Sequence, residues 1–102
     1  MKVDVKRRDS GTGQIVYVTY DRQDKLNSLN SDGIEALSSS FESLNNDPDV
    51  RAVILTGAGS KAFIGGADIT ELSNLNPQTA KVFISSLHDL FVRVREFPVP
   101  VI

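Results

Sequence analysis

Between Arg51 and Leu72 the chain reads RAVILTGAGSKAFIGGADITEL. An apolar run ends in a glycine turn, and a second turn, Gly65-Gly66-Ala67, opens into a helix through Asp68. Glycine and alanine at such a junction leave backbone N–H groups uncovered by side chains, and a helix start adds partial positive charge. That combination suits developing negative charge, such as the oxygen of a reacting carbonyl.

Other chemistries fit less well. Gly57-Ala58-Gly59-Ser60-Lys61-Ala62 matches a dinucleotide-binding glycine pattern by letter and follows a strand. That pattern also needs a long helix from the turn and an acidic residue closing the next strand about twenty positions on. Here Gly65-Gly66 interrupts any such helix, and the residues around Pro77 start a helix where a strand should end. A P-loop fails because Gly59-Ser60-Lys61 reverses the Gly-Lys-Ser order. The single histidine, His88, permits no histidine metal cluster, and it reads as a polar residue on the flank of a helical stripe. Asp68 reads as an N-cap or first-turn acid beside the anion site. Glu71, one turn on, faces either the site or water.

The elements that hold this segment follow from periodicity. Val3, Val5 and Ile15–Tyr20 read as two strands joined by the Ser10-Gly11-Thr12-Gly13 turn. Ile34, Leu37, Phe41 and Leu44 recur at helical spacing after an Asn30 or Ser31 cap, and Asp47-Pro48-Asp49 ends that helix. Val50–Thr56, apolar and short, reads as a strand buried on both faces and parallel to its neighbour. Asn76-Pro77 starts another helix, with Phe83, Leu87, Leu90, Phe91 and Val94 expected in the core and Pro98 at its end. Phe97–Ile102 reads as the entry to a further buried strand, and residues 1–102 read as the front part of something longer.

Eleven basic and thirteen acidic residues balance to −2, which provides no field for nucleic acid or an anionic membrane. The absence of cysteine removes disulfides and thiol chemistry. Met1-Lys2 runs into alternating charge in place of a signal-peptide core, and no apolar stretch is long enough to span a bilayer, so a cytoplasmic location is expected.

Three pieces together resemble the enoyl-CoA hydratase/isomerase, or crotonase, superfamily: Arg22–Leu29 (RQDKLNSL), Asp47–Gly57 (DPDVRAVILTG) and Ser60–Leu72 (SKAFIGGADITEL). The resemblance implies an α/β fold, the crotonase-like spiral of ββα units, with residues 1–102 as the amino-terminal part of a single domain. It implies an acyl-CoA thioester as substrate, with coenzyme A entering only as part of that substrate, and no metal or other cofactor. Ala67 matches the residue whose backbone N–H is the first oxyanion donor. Gly65 and Gly66 match backbone lining the adenine end of CoA, Lys25 and Leu26 the loop beside the CoA arm, and Ile69 a residue near the acyl chain. Asp68 is counted with these substrate-site residues.

There are departures. Gln23 stands where many relatives have proline, and Gly65 where alanine is common. The family's second oxyanion donor, its catalytic carboxylates and its carboxy-terminal helices match nothing in residues 1–102. The resemblance implies that full-length members form homo-oligomers, trimers or hexamers; without those missing parts, residues 1–102 alone are expected to be inactive. Hydratases, isomerases, dehalogenases and thioester hydrolases share the first donor, so the reaction itself stays open. The rival expectation is a non-catalytic module that pairs with another chain through Val99–Ile102.

Overall fold

The computed structural model describes all residues from Met1 to Ile102. Two eight-residue strands, β1 (Lys2–Asp9) and β2 (Gln14–Asp21), form an antiparallel hairpin in which Val5 faces Val18. Its turn is closed by the Ser10 N–H, which donates to the Gly13 carbonyl at 2.8 Å. A short 3₁₀ turn (Gln23–Lys25) leads to helix α1 (Ser31–Asn45), and strand β3 (Val50–Gly57) then pairs parallel to β2. The sheet order is β1-β2-β3. Helices α2 (Ile69–Ser73) and α3 (Pro77–Arg95) follow.

The caps lie where the sequence places them. The Asn30 side chain accepts the Gly33 N–H at the start of α1. Asn76 accepts the N–H groups of Gln78 and Thr79 at the start of α3, and Pro77 opens its first turn. Each cap satisfies donors that have no partner within their own helix.

One cluster forms the core. Val16, Val18 and Tyr20 alternate along one face of β2 and meet Ile34, Leu37, Phe41 and Leu44 of α1, Val50 and Val53 of β3, and Phe83 and Leu90 of α3. Phe41 closes edge-on against Phe97, with ring centres 5.5 Å apart.

Two expectations about burial need correction. Strand β3 is not buried on both faces: Val50 and Val53 are buried, but Ile54 is only half-buried and Arg51 is exposed. Both long helices send their buried residues to the same cluster as Val16, Val18 and Tyr20, so one sheet face carries the core. Phe91 is 53% exposed. The buried line of α3 runs through Phe83 and Leu90, seven positions apart, and Phe91 lies about 100° around the helix from Leu90.

The carboxy-terminal segment, expected to enter a buried strand, makes one isolated bridge beside β3, with Val101 half-buried and Ile102 76% exposed. The Val53 N–H donates to the Pro100 carbonyl, and the Ile102 N–H donates to the Val53 carbonyl, each at 2.9 Å. No helix is long and apolar enough to cross a membrane.

Candidate oxyanion and acyl-CoA site

The site is built by two irregular segments, the loop from Arg22 to Asn30 and the turn from Gly65 to Asp68. They meet at a single parallel bridge between Leu29 and Ala67. The Leu29 N–H donates to the Gly66 carbonyl and the Asp68 N–H donates to the Leu29 carbonyl, both at 2.7 Å. Successive peptide groups of an extended chain point to opposite sides, so a residue bracketed in this way turns its own N–H away from the partner strand. The Ala67 N–H accordingly makes no hydrogen bond within the chain. The amides of Gly65 and Gly66 also lack internal partners, but those glycines are exposed to water whereas Ala67 is half-buried.

Ala67 lines a surface depression of about 290 Å³ with Lys25, Leu26, Gly65, Asp68 and Ile69, and with Asp24, Ser28 and Thr70. Six of the seven residues singled out from the sequence thus lie around one space. Gly66 is not part of the lining; its contribution is backbone shape, at φ +103°, where a side chain is strained. Gly65 contributes for a different reason in this chain. A Cβ there would run into the Leu26 carbonyl oxygen, so the glycine lets the loop and the turn touch. Ile69 is 81% exposed and Leu26 54% exposed, which makes them an apolar rim.

The loop owes its shape to Asn27, which sequence reasoning did not single out. Leu26 and Asn27 both take left-handed backbone angles, φ 54° and 55°, a region where asparagine is enriched. The Asn27 side chain is buried and fully used. Its Oδ1 accepts the Arg22 N–H at 2.7 Å, and its Nδ2 donates to the carbonyls of Ala58 and Ala62, each at 2.9 Å. The loop is thereby fixed to the glycine turn after β3. That turn is not followed by the long helix a dinucleotide site would need.

The acidic residues are engaged in structure. Asp68 Oδ1 accepts the Glu71 N–H at 2.9 Å, the N-cap of α2, and Oδ2 meets Arg22 Nη1 at 2.7 Å. The Glu71 N–H, followed by the Arg22 guanidinium, holds the Asp68 carboxyl below its ordinary value. Glu71 does not line the depression: its carboxylate accepts the Ser31 N–H at 2.9 and 3.1 Å, closing the start of α1. The field of α2 is weaker than a helix start would suggest, because the helix has only five residues and Asp68 offsets it. Tyr20 donates its hydroxyl to the Ser28 carbonyl at 2.7 Å, and burial pushes its phenol pKa up, which keeps it a donor. His88 is exposed on α3. No group of three or more acidic or histidine side chains converges.

What this arrangement offers is an amide without an internal acceptor, on a half-buried residue that lines an apolar-rimmed depression. Residues 10–102 match the family model described as enoyl-CoA hydratase/isomerase. The chain belongs to that family. It is 39% identical over 90 residues to a short-chain-enoyl-CoA hydratase of Clostridium acetobutylicum, a match covering 88% of this chain and 34% of the relative. It is 32% identical over 88 residues to a crotonyl-CoA hydratase of Syntrophomonas wolfei, covering 86% and 33%. Among solved structures, enoyl-CoA hydratase from Bacillus anthracis superposes with a TM-score of 0.88 at 32% identity, covering 99% of this chain and 38% of that one. The enzyme from Thermoplasma volcanium gives 0.82 at 30% identity, with the same coverage. The fold is therefore the α/β crotonase type, with β1, β2 and α1 as a ββα unit. The chain spans about a third of the length of the relatives it matches.

Proposed function

We propose that this chain binds an acyl-CoA thioester in the depression between the Arg22–Asn30 loop and the Gly65–Asp68 turn. The Ala67 N–H donates to the thioester oxygen as charge accumulates there, in an enoyl-CoA hydratase or isomerase type of reaction. The observation that carries this reading is the half-buried Ala67 amide with no internal acceptor. An amide fixed before the reaction starts stabilises the developing charge without reorganising. Lys25 and Leu26 lie where the CoA arm would pass, Gly65 and Gly66 shape the backbone beside it, Asp68 secures the turn, and Ile69 offers apolar surface to the acyl chain.

Residues 1–102 by themselves bind without turning over. Of the two carboxylates around the depression, Asp68 has both oxygens engaged and Asp24 is exposed on the loop, so neither is poised as a general acid or base. Removing one oxyanion donor costs on the order of 10²–10³ in rate, and lacking a positioned acid or base costs roughly 10²–10⁴ more.

Calorimetric titration with acetyl-CoA and with CoA tests the binding claim. The thioester should bind more tightly; equal affinity, or no binding of either, counts against it. Crotonyl-CoA incubated with the chain should be consumed no faster than in buffer, and measurable turnover would overturn the inactivity.

A further inference from the structure

We infer that Arg22 is a positioning residue that aims the Ala67 amide, an inference that rests on the oxyanion reading above. Arg22 contributes to the site from outside the depression, and its guanidinium makes three contacts through one nitrogen. Nη1 lies 2.7 Å from Asp68 Oδ2, 3.1 Å from Ser28 Oγ and 3.3 Å from the Ser28 carbonyl. The side chains of the Arg22–Asp68 pair are only 13% and 10% exposed.

The placement of these contacts gives them their effect. Leu29 holds Ala67 through two backbone bonds only, one to Gly66 and one from Asp68. Arg22 joins Ser28, the residue before Leu29, to Asp68, the residue after Ala67. It therefore fastens both strands of the two-bond bridge next to the amide that the bridge points outward. A single bridge outside any sheet has no neighbouring ladder to share its load, so it opens more easily than β2 paired on both edges. Arginine suits the role because its planar head stays charged and reaches a carboxylate and a carbonyl together. A lysine ammonium could keep the ion pair but would hold the Ser28 contacts less firmly.

The inference separates local aim from general stability, and hydrogen exchange of the ¹⁵N-labelled 102-residue chain can tell them apart. In Arg22→Gln, protection at the Leu29 and Asp68 amides should fall about tenfold, the loss of a charge-assisted contact, while Val18 and Val53 in the paired strands keep theirs. The same variant should bind acetyl-CoA no better than CoA. Arg22→Lys should recover part of both the protection and the thioester preference, and it supplies the comparison if Arg22→Gln does not fold.

Unchanged protection at Leu29 and Asp68, or a uniform loss across the whole sheet, would overturn the inference. So would a local loss with the thioester preference intact. Failure of the underlying oxyanion reading shows separately, because the wild-type chain would then have no thioester preference for any variant to lose.

Discussion

Leu29 brackets Ala67: its N–H donates to the carbonyl before Ala67 and its carbonyl accepts from the N–H after it, each at 2.7 Å. This arrangement fixes the alanine on both sides while leaving its own amide unused. In the proposed function, backbone geometry at position 67 matters more than the side chain there.

Substitutions at that position should therefore divide according to the amide. Ala67→Gly keeps the N–H and should change acetyl-CoA affinity by less than about threefold. Ala67→Pro removes the donor but breaks no internal hydrogen bond, since none is made. It should abolish the preference for acetyl-CoA over CoA, a difference of roughly three- to tenfold for one hydrogen bond. Similar effects of the two substitutions, read by calorimetry, would argue against the assignment.

Asn27→Ala should destabilise the chain by about 3 kcal/mol, because it strands the part-buried Arg22 N–H and deprives two carbonyls of their shared donor. Asn27→Asp should be worse, since it sets a carboxylate oxygen against the carbonyls of Ala58 and Ala62 where an amide now donates. Urea midpoints give the order; an aspartate variant as stable as the parent contradicts it.

Alanine at position 65 should also cost stability, on the order of 1–3 kcal/mol, because the added methyl meets the Leu26 backbone and the loop must move. Leu26 lines the depression, so CoA binding should weaken with it. Thermal unfolding alongside CoA titration checks both. A stable variant with unaltered affinity would show that the loop yields freely.

Acid stability should depend on two carboxylates. Asp68 is held below the ordinary value of 3.8 first by the Glu71 N–H and then by Arg22. Asp47 is lowered first by the Asp49 N–H and then by its hydrogen bond with Arg7. A carboxyl depressed in the folded state stabilises above its unfolded value, and that contribution disappears as pH falls through its folded value. The urea midpoint should stay level from pH 7 down to about 5 and drop below the ordinary carboxylate value. Asp68→Asn and Asp47→Asn should each flatten that acid limb; an unchanged limb in both would show that other groups govern it.

Much of the frame was legible because its signals are local. Asn30 and Asn76 cap the helices that follow them, Asp47-Pro48 ends α1, and the alternation of Val16, Val18 and Tyr20 marks a strand with one buried face. The Gly65-Gly66-Ala67 turn was legible as an exposed-amide junction for the same reason. The contacts that fix its direction were not. Arg22 with Asp68, Asn27 with Ala58 and Ala62, and Glu71 with Ser31 join residues distant in the chain, and no periodicity encodes such pairs. Phe91 shows the same limit within a helix: its apolar character suggested the core, but the line set by Phe83 and Leu90 leaves it outside.

The most direct test of the central claim follows the Ala67 amide resonance of the ¹⁵N-labelled chain during titration with acetyl-CoA and, separately, with CoA. The Ala67 proton should move downfield with the thioester and stay nearly still with CoA, while Lys25 and Leu26 respond to both. If Ala67 shifts equally with the two ligands, or stays fixed while its neighbours move, its amide does not receive the thioester oxygen.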